Sequence, residues 1–520
     1  MASIHCGFDV AQGTSRDLSL AINLVVILKL SKIKILKARY TLLYFNSCFQ
    51  TERPKMKKLI YASVLVLAGC ASGPSQTKLA ASNNALRSGD LASSLAILED
   101  ANQDIKEKDL PYRLDKGTLL GLLGPDSKKS IAEHKVADAS VEDWVANASS
   151  SLSKNANDFF NYAFASSSKN KYQLKDYEKS LLSFDLALSE FLIGDFDAAR
   201  VEAKKLSERE KLIERVNEKK LAAISDKVES ERKTNPQVTS RPDSIGGYPV
   251  NLYELPEVNS LKNAYQNAAA HYLAGFMFEM QGEAGMAAPG YRLATELKPD
   301  NAVFAQSLAN LDRKIAENNS GKKTSEVLVV YETGYVPRIS SFKTNMTFMT
   351  RKGPRVVTIT LPQIEPLSAA PFVPAGLSVG EQQVRLSQAV SVDALARRQL
   401  KDDMPGHVAK ATTQAIVQLI AQEAAQAAME KNNKNNQNNG VAMLAALATG
   451  MALSAGEADV RMWTALPGQI YMGRVEVPKG KNVVTIPTPL GPKMFELDAS
   501  NNYHVVHVRL LGNRAVLRNS

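Results

Sequence analysis

The stretch Phe191–Arg200, FLIGDFDAAR, ends one apolar helix and opens the next. Glycine readily takes the left-handed backbone conformation that terminates helices, so Gly194 marks a helix end. Asp195 follows where the free N–H groups of a new helix need an acceptor. Three further copies share the apolar helix end, the glycine turn and the small residue after it: Ala85–Ser94 with Gly89 and Asp90, Leu120–Ser130 with Gly124, and Phe278–Ala287 with Gly282. The pattern predicts repeated helical hairpins.

The distances between these turns suggest a repeat. Gly89 and Gly124 lie 35 residues apart, and Gly124 and Gly194 lie 70 apart. These spacings are close to one and two periods of the 34-residue tetratricopeptide repeat (TPR). We therefore predict a TPR-like α-solenoid over residues 78–318, with a generic α-solenoid as the alternative.

The fourth copy carries the fullest likeness to that repeat. Its end, Leu297–Ala302, resembles the close of a TPR unit, in which a proline such as Pro299 stops the second helix. Pro289 and Gly290 depart from the pattern, because both residues disfavour a helix interior. An interruption of the second helix is therefore expected at that point.

Beyond residues 318–321 the apolar residues change from helical spacing to alternation, which is typical of strands. Five segments show this alternation or a continuous β-branched run: Val327–Tyr331, Arg355–Leu361, Ile470–Val477, Val483–Ile486 and Tyr503–Leu511. Residues 325–520 are predicted to form a domain that resembles an antiparallel β-sandwich.

A helical insert is expected inside the β-rich region, at about 392–456. Its first helices are predicted at Val392–Leu400 and His407–Lys431, separated by a Pro-Gly pair. A polar linker, 432–439, then leads to 440–456, which contains no charged residue. Seventeen mostly small residues are marginal for crossing a bilayer, so 440–456 is either a packed helix or one that touches a membrane or a partner.

The N-terminal region contains Leu67-Ala68-Gly69-Cys70, preceded by two lysines and an apolar run. This order is typical of a secretory signal, and the four residues resemble the bacterial lipobox. The resemblance implies cleavage before Cys70 and acylation of its thiol, with 56–69 as signal peptide and 70–77 as tether. The residue after Cys70 is Ala71, which by analogy favours the outer membrane.

Residues 1–55 do not fit an N-terminal signal, since they would place the lipobox far inside the chain. We interpret them as a misassigned extension, with translation starting at Met56. The alternative is a membrane anchor near residues 18–30, although that apolar stretch is shorter than a span requires.

The net charge of +10 does not indicate a nucleic-acid partner. Residues 1–69 contain ten of the 63 basic residues and three of the 53 acidic residues, which leaves about +3 on 70–520. A nearly neutral chain lacks the basic surface that phosphate backbones require. Only one of the three cysteines, Cys70, belongs to the processed chain, so no disulfide framework is expected.

No motif predicts a catalytic or metal site. Gly321–Thr324 lacks the other glycine and the hydroxyl residue of a phosphate loop, and Ser166–Lys169 lacks the companions of a penicillin-binding nucleophile. His504 and His507 have an odd separation in a strand and so point to opposite faces. We expect no enzyme activity, cofactor or metal.

The lipobox, the Gly-Asp hairpins and the terminal β region together resemble a family of bacterial TPR lipoproteins to which no reaction is assigned. The motifs that carry the resemblance are Leu67–Cys70, Tyr177–Lys179 with Gly194–Phe196, and Asp459–Pro467. In the last of these, Asp459 and Arg461 are expected to pair and Trp463 to pack.

The resemblance implies export, and a solenoid offers a concave surface for protein or peptide partners. Aromatic residues on the inner helices are candidates to line it: Tyr162, Tyr177, Phe184, Tyr265 and Tyr272. The expected function is a periplasm-facing scaffold for cell-envelope assembly or regulation. Two alternatives stay open, an envelope enzyme with a site between the two domains and a membrane-active component that uses 440–456.

Overall fold

The computed structural model describes residues 74–124, 127–164, 171–318, 322–350, 352–366, 370–432 and 458–520. The extension, the signal peptide, the lipobox with Cys70, the Ser166–Lys169 motif and the segment 440–456 lie outside the described residues. Residues from Pro74 to Ser520 form one compact unit.

The first part of this unit is helical. Its helices are α1 (Gln76–Arg87), α2 (Leu91–Asn102), α3 (Leu110–Leu123), α4 (Ser127–Ser151), α5 (Ala156–Ala163), α6 (Asp176–Leu192), α7 (Phe196–Arg232), α8 (Pro256–Ser260), α9 (Ala268–Met280), α10 (Ala284–Leu297), α11 (Ala302–Ala309) and α12 (Leu311–Asn318). Helix α1 begins inside the predicted tether, and Ser75 caps its first turn. None of the helices in the described residues is long and apolar enough to cross a membrane.

Three of the glycine turns have the same backbone geometry. Gly89, Gly194 and Gly282 have φ values of +80°, +81° and +77°, and Gly124 has a φ of +109°. At Gly194 the amide of the following residue donates to the carbonyl of Glu190, six residues apart inclusive, which is the Schellman pattern of helix ends. Asp90 and Asp195 then cap α2 and α7 by accepting the amides three residues on.

The hairpins are unequal in length. Helices α1 and α2 have 12 residues each, whereas α6 has 17 and α7 has 37. The structure therefore establishes helices followed by strands, but it does not confirm a regular TPR solenoid. Pro289 lies inside α10 without ending it, which corrects the expected interruption. Gly290 allows α10 to approach α9 closely, since a Cβ at this position would lie 2.7 Å from the carbonyl oxygen of His271 in α9.

The second part of the unit contains strands in three sheets. The strands are β1 (Thr324–Thr333), β2 (Ile339–Thr350), β3 (Gly353–Ile364), β4 (Gly376–Val379), β5 (Gln382–Arg385), β6 (Ser387–Ser391), β7 (Gln469–Pro478), β8 (Lys481–Ile486), β9 (Lys493–Asp498), β10 (Tyr503–Leu511) and β11 (Arg514–Asn519). Their orders are β11-β10-β1-β7-β6, β5-β4-β8-β9 and the hairpin β2-β3.

The five-stranded sheet is mixed, which corrects the prediction of an antiparallel sandwich. Strands β1 and β10 pair in parallel, with Glu326 opposite Tyr503 and Glu332 opposite Arg509. Parallel pairs are stable when both faces of the sheet are covered, and both strands are buried along nearly their whole length.

Alternate residues of β1 face two different layers. Val327 and Val329 belong to the core shared with the four-stranded sheet, whereas Leu328 and Val330 pack in the core that also contains the helices. The central sheet therefore has a second sheet on one face and helices on the other. The helical and β-rich parts consequently share one core instead of forming two independent domains.

The insert begins with one long helix, α13 (Val392–Asn432), instead of the two predicted helices. Pro405 lies in its interior, and Gly406 fits against the ring of Phe164, where an added Cβ would lie 1.9 Å from Cζ. Met404 and Val408 are buried on either side. Tertiary packing thus outweighs the local helix-breaking tendency of the Pro-Gly pair.

Candidate functional site

The segment Asp459–Pro467 connects the insert to β7 and lies against the helices α1, α3, α4 and α6. The expected pair is present, since Arg461 Nη2 lies 2.6 Å from Asp459 Oδ2. Arg461 Nη1 also lies 2.8 Å from Asp109, the residue that caps α3. Burial opposes ionisation of Asp459, but the hydrogen bonds from Arg461 outweigh it and lower the pKa of that carboxyl.

Glu178 joins the same segment to the start of α6. One carboxylate oxygen accepts the amide of Trp463 at 2.9 Å, and the other accepts the amide of Lys175 at 2.8 Å and the hydroxyl of Tyr172 at 2.5 Å. Glu178 is fully buried, and Trp463 is 1 % exposed. Trp463 therefore packs as expected, and a single carboxylate holds both a helix N-terminus and a connection 285 residues away.

Asp115 on α3 holds the next part of the segment. Its carboxylate accepts the amide of Ala465 at 2.8 Å and lies 2.7 Å from the hydroxyl of Thr464. That hydroxyl also lies 2.7 Å from the side-chain oxygen of Asn83 and has only one proton to donate. A protonated Asp115 satisfies both contacts, and burial raises the pKa of Asp115 to about 7.

We predict that Asp115→Asn changes stability in a pH-dependent direction. Because the pKa of Asp115 is raised by folding, its contribution is complete near pH 4 and is lost as pH rises through 7. Asparagine keeps an acceptor for Ala465 and a donor for Thr464 without ionising. Chemical denaturation at pH 5 and pH 8 checks this: the variant should gain about 2–3 kcal/mol relative to wild type between them. An equal difference at both pH values would contradict it.

A second cluster lies where the helices meet the central sheet. Arg474 on β7 contacts Glu279 on α9 at 2.5 and 3.0 Å and Glu326 on β1 at 2.8 Å. Burial opposes its charge, but the surrounding tyrosine and Glu279 oxygens outweigh that effect and raise the pKa of Arg474. The guanidinium also lies 5.2 Å from the ring centre of Phe276. One arginine therefore links a helix and two strands.

The remaining hydrogen-bonding capacity of this cluster is also used. Tyr291 donates to Glu279 at 2.6 Å, and Tyr503 donates to it at 3.1 Å. Lys314 and Lys322 both pair with Glu326 and with Glu476 at the sheet edge. Acidic, basic and tyrosine side chains therefore converge between the helices and the sheet, but they form ion pairs and hydrogen bonds with one another there.

A third group joins α4, α6 and the C-terminal strands. His134 Nδ1 lies 2.8 Å from Asp185, and His507 Nε2 lies 3.1 Å from Glu332. Arg518 donates to His507 Nδ1 at 3.0 Å. Burial lowers the pKa of His507, whereas His134 has a raised pKa because its pairing with Asp185 outweighs burial. Within the described ranges, no three His, Cys, Asp or Glu residues are arranged to hold a metal ion.

The aromatic residues proposed to line a binding surface do not do so. Tyr177, Phe184 and Tyr272 are buried in the main core, with at most 3 % of their surface exposed, and Tyr265 is buried with 6 % exposed. Tyr162 is half-buried against Phe159. Aromatic side chains at helical spacing have formed the core here, because they bury the largest apolar area. Two shallow surface grooves run along α7 instead, one lined by Glu142 and Lys205 and the other by Leu221 and Arg232.

Most residues of these clusters carry no motif in the sequence. Glu279 offers one signal, since it is the only charged residue of α9 apart from a histidine and all but one residue of that helix are buried. A lone acid in an apolar helix needs a buried partner. The sequence does not indicate that the partner is Arg474, which lies 195 residues away.

Comparisons with known proteins add no assignment. No protein-family model matches the chain, and a search of curated proteins gives no significant match.

Proposed function

We propose that this protein is an acylated lipoprotein of the bacterial envelope, anchored in the outer membrane and facing the periplasm, whose body is a scaffold for protein–protein interaction. The observation that carries the proposal is the position of the lipobox. Cys70 stands four residues before Pro74, where the compact unit begins. A lipid on Cys70 would therefore hold one folded body at a membrane through a short tether.

The polar clusters favour binding over catalysis. Each of them joins elements distant in sequence, as Glu178 does for α6 and Trp463 and as Arg474 does for α9 and β7. Such buried and mutually neutralised groups fix geometry and have little capacity left for a substrate. The hairpins with shared left-handed turns favour a TPR-like arrangement for the helices, in keeping with an interaction role.

Membrane fractionation of Cys70→Ala beside wild type tests the anchor. We expect wild type in the outer-membrane fraction and the variant in the soluble fraction, because acyl chains supply most of the membrane affinity. Ser72→Ala, two residues after the anchoring cysteine and within the processed chain, is the matched control and should behave as wild type. Persistence of Cys70→Ala on the membrane would contradict the lipid anchor and direct attention to residues 18–30 and 440–456.

Crosslinking in intact cells tests the scaffold role. Wild type should crosslink to one or a few envelope proteins, and Cys70→Ala should lose those products because it is no longer held beside them. A wild-type chain that is membrane-bound and gives no crosslinked partner would contradict the scaffold role while leaving the anchor intact.

A further inference from the structure

The hairpin β2–β3 has an open backbone edge along β3. Residues of an antiparallel pair alternate between those that exchange hydrogen bonds with the partner and those whose N–H and C=O point away. Glu365 donates its amide to the carbonyl of Arg338, so this pair is a bonded one. Counting back by twos from Glu365 along the register gives the other residues that bond to β2. The residues between them, among which are Val356, Thr358 and Thr360, therefore point away from β2.

Independent contacts support that assignment. On β2 the amide of Met349 donates to the side chain of Gln237, as expected for a residue that points away from β3. On β3 the carbonyl of Pro362 accepts the hydroxyl of Tyr248, so its oxygen also faces away from β2. Among the described residues, the backbone groups of Val356, Thr358 and Thr360 have no hydrogen-bond partner.

Two prolines bracket this window. Pro354 and Pro362 occupy outward-pointing positions of β3 and have no N–H to offer, whereas three N–H groups lie between them. Prolines on an edge strand limit pairing with other chains. Here they confine such pairing to residues 356–360, where Val356 is 65 % exposed and Thr358 is exposed.

The charge of the hairpin favours one class of partner. Residues 339–364 contain four basic residues, among them Lys343 and Arg355, and no acidic residue. In the described part of the chain, neither of these two has a carboxylate partner. Pairing with β3 of a second copy would oppose like charges, whereas an acidic strand would be attracted. A membrane surface offers no N–H or C=O pattern to complete the edge.

We propose that β3 binds an extended, acidic peptide segment of a partner protein, which adds as a strand along residues 356–360. Backbone hydrogen bonds to Val356, Thr358 and Thr360 would supply affinity, and alternate side chains beside Val356 and Met349 would supply selectivity. This inference deepens the proposed scaffold role by locating its binding surface, but its test does not depend on the lipid anchor.

The test uses the full chain in detergent and the end-blocked peptide EVTVEVE, with KVTVKVK and EVTPEVE as controls. We expect saturable binding of EVTVEVE alone, and residue-resolved hydrogen exchange should show about tenfold slower exchange at Val356, Thr358 and Thr360. Lack of binding at about 1 mM, or equal binding of the basic peptide, would overturn the proposal. Slow exchange at Thr358 before peptide is added would overturn it too, since another segment of the chain would then occupy the edge.

Thr358→Pro provides the decisive variant. It removes the central outward N–H and the hydrogen bond from the Thr358 hydroxyl to Asn345 on β2, but it removes no backbone hydrogen bond to β2, and it should weaken binding about tenfold. Thr347→Pro at an outward position of β2 is the matched control and should leave affinity unchanged. Unchanged thermal unfolding identifies a folded variant, and Thr360→Pro serves if Thr358→Pro is misfolded. Folded proline variants of β3 that bind the acidic peptide as tightly as wild type would overturn the proposal. A protein that binds phosphatidylglycerol vesicles but not the peptide would overturn it too.

Discussion

Replacement of Arg474 by methionine is expected to lower the free energy of unfolding by about 3–5 kcal/mol, because it leaves two buried carboxylates without their shared cation. Glu279 is fully buried and Glu326 is 2 % exposed, so water cannot replace the guanidinium. Methionine keeps an unbranched side chain beside Phe276 but loses the guanidinium that lies over its ring, so the effect is mainly one of charge and hydrogen bonding. Equilibrium denaturation of wild type and variant measures the loss.

Two further variants separate this effect from a general disturbance. Adding Glu279→Gln to Arg474→Met should recover part of the loss, because a neutral amide tolerates burial better than an unpaired carboxylate. Lys262→Ala breaks the Lys262–Glu296 pair, whose side chains are 60 % and 61 % exposed, and should change unfolding little. An Arg474→Met protein as stable as wild type would show that the cluster does not join helices to sheet.

Replacement of Trp463 by alanine is expected to destabilise the fold by about 3–5 kcal/mol, since it opens a cavity beneath the connection to β7. The indole is 1 % exposed, lies 5.2 Å from the ring of His134, and donates to Thr118 at 3.0 Å. Trp463→Phe keeps most of the volume and loses the indole hydrogen bond, so a smaller loss of about 1–2 kcal/mol is expected.

Thermal or chemical unfolding followed by far-ultraviolet circular dichroism measures both losses without relying on indole fluorescence. Leu490→Ala is the control, because Leu490 is 72 % exposed and should contribute little to the core. Equal stability of Trp463→Ala and Leu490→Ala would mean that the segment Asp459–Pro467 does not lock the helices to the sheet.

Local patterns in the sequence predict the local parts of this structure. The turn at Gly194 is visible because the glycine, the aspartate and the small residues all act within a few positions of one another. The pairing of Asp459 with Arg461 is visible for the same reason, since the two residues are near neighbours. The order of helices followed by strands also follows from local apolar spacing.

Features that depend on distant residues were not predictable in this way. The continuity of α13 through Pro405 depends on packing against Phe164, which is about 240 residues earlier. The parallel pairing of β1 with β10 joins strands at opposite ends of the β-rich region. The burial of Tyr272 is likewise not predictable, because helical spacing does not distinguish a core face from a binding face.

The two candidate sites also differ in how far the sequence alone indicates them. The lipobox is contiguous, so the sequence alone indicates Cys70 as the anchoring residue. The open edge of β3 has no sequence motif, because it is defined by which backbone groups β2 leaves unpaired. Pro354 and Pro362 are the only sequence signals there, and their meaning depends on knowing the register.

The intact mass of the protein purified from its own membrane tests the anchored-scaffold account most directly. The account predicts a chain that begins at Cys70, lacks residues 1–69 and carries the added mass of a glycerol-linked and amide-linked lipid. A full-length chain without added lipid mass would contradict it, because the folded body from Pro74 onward would then have no covalent anchor at Cys70.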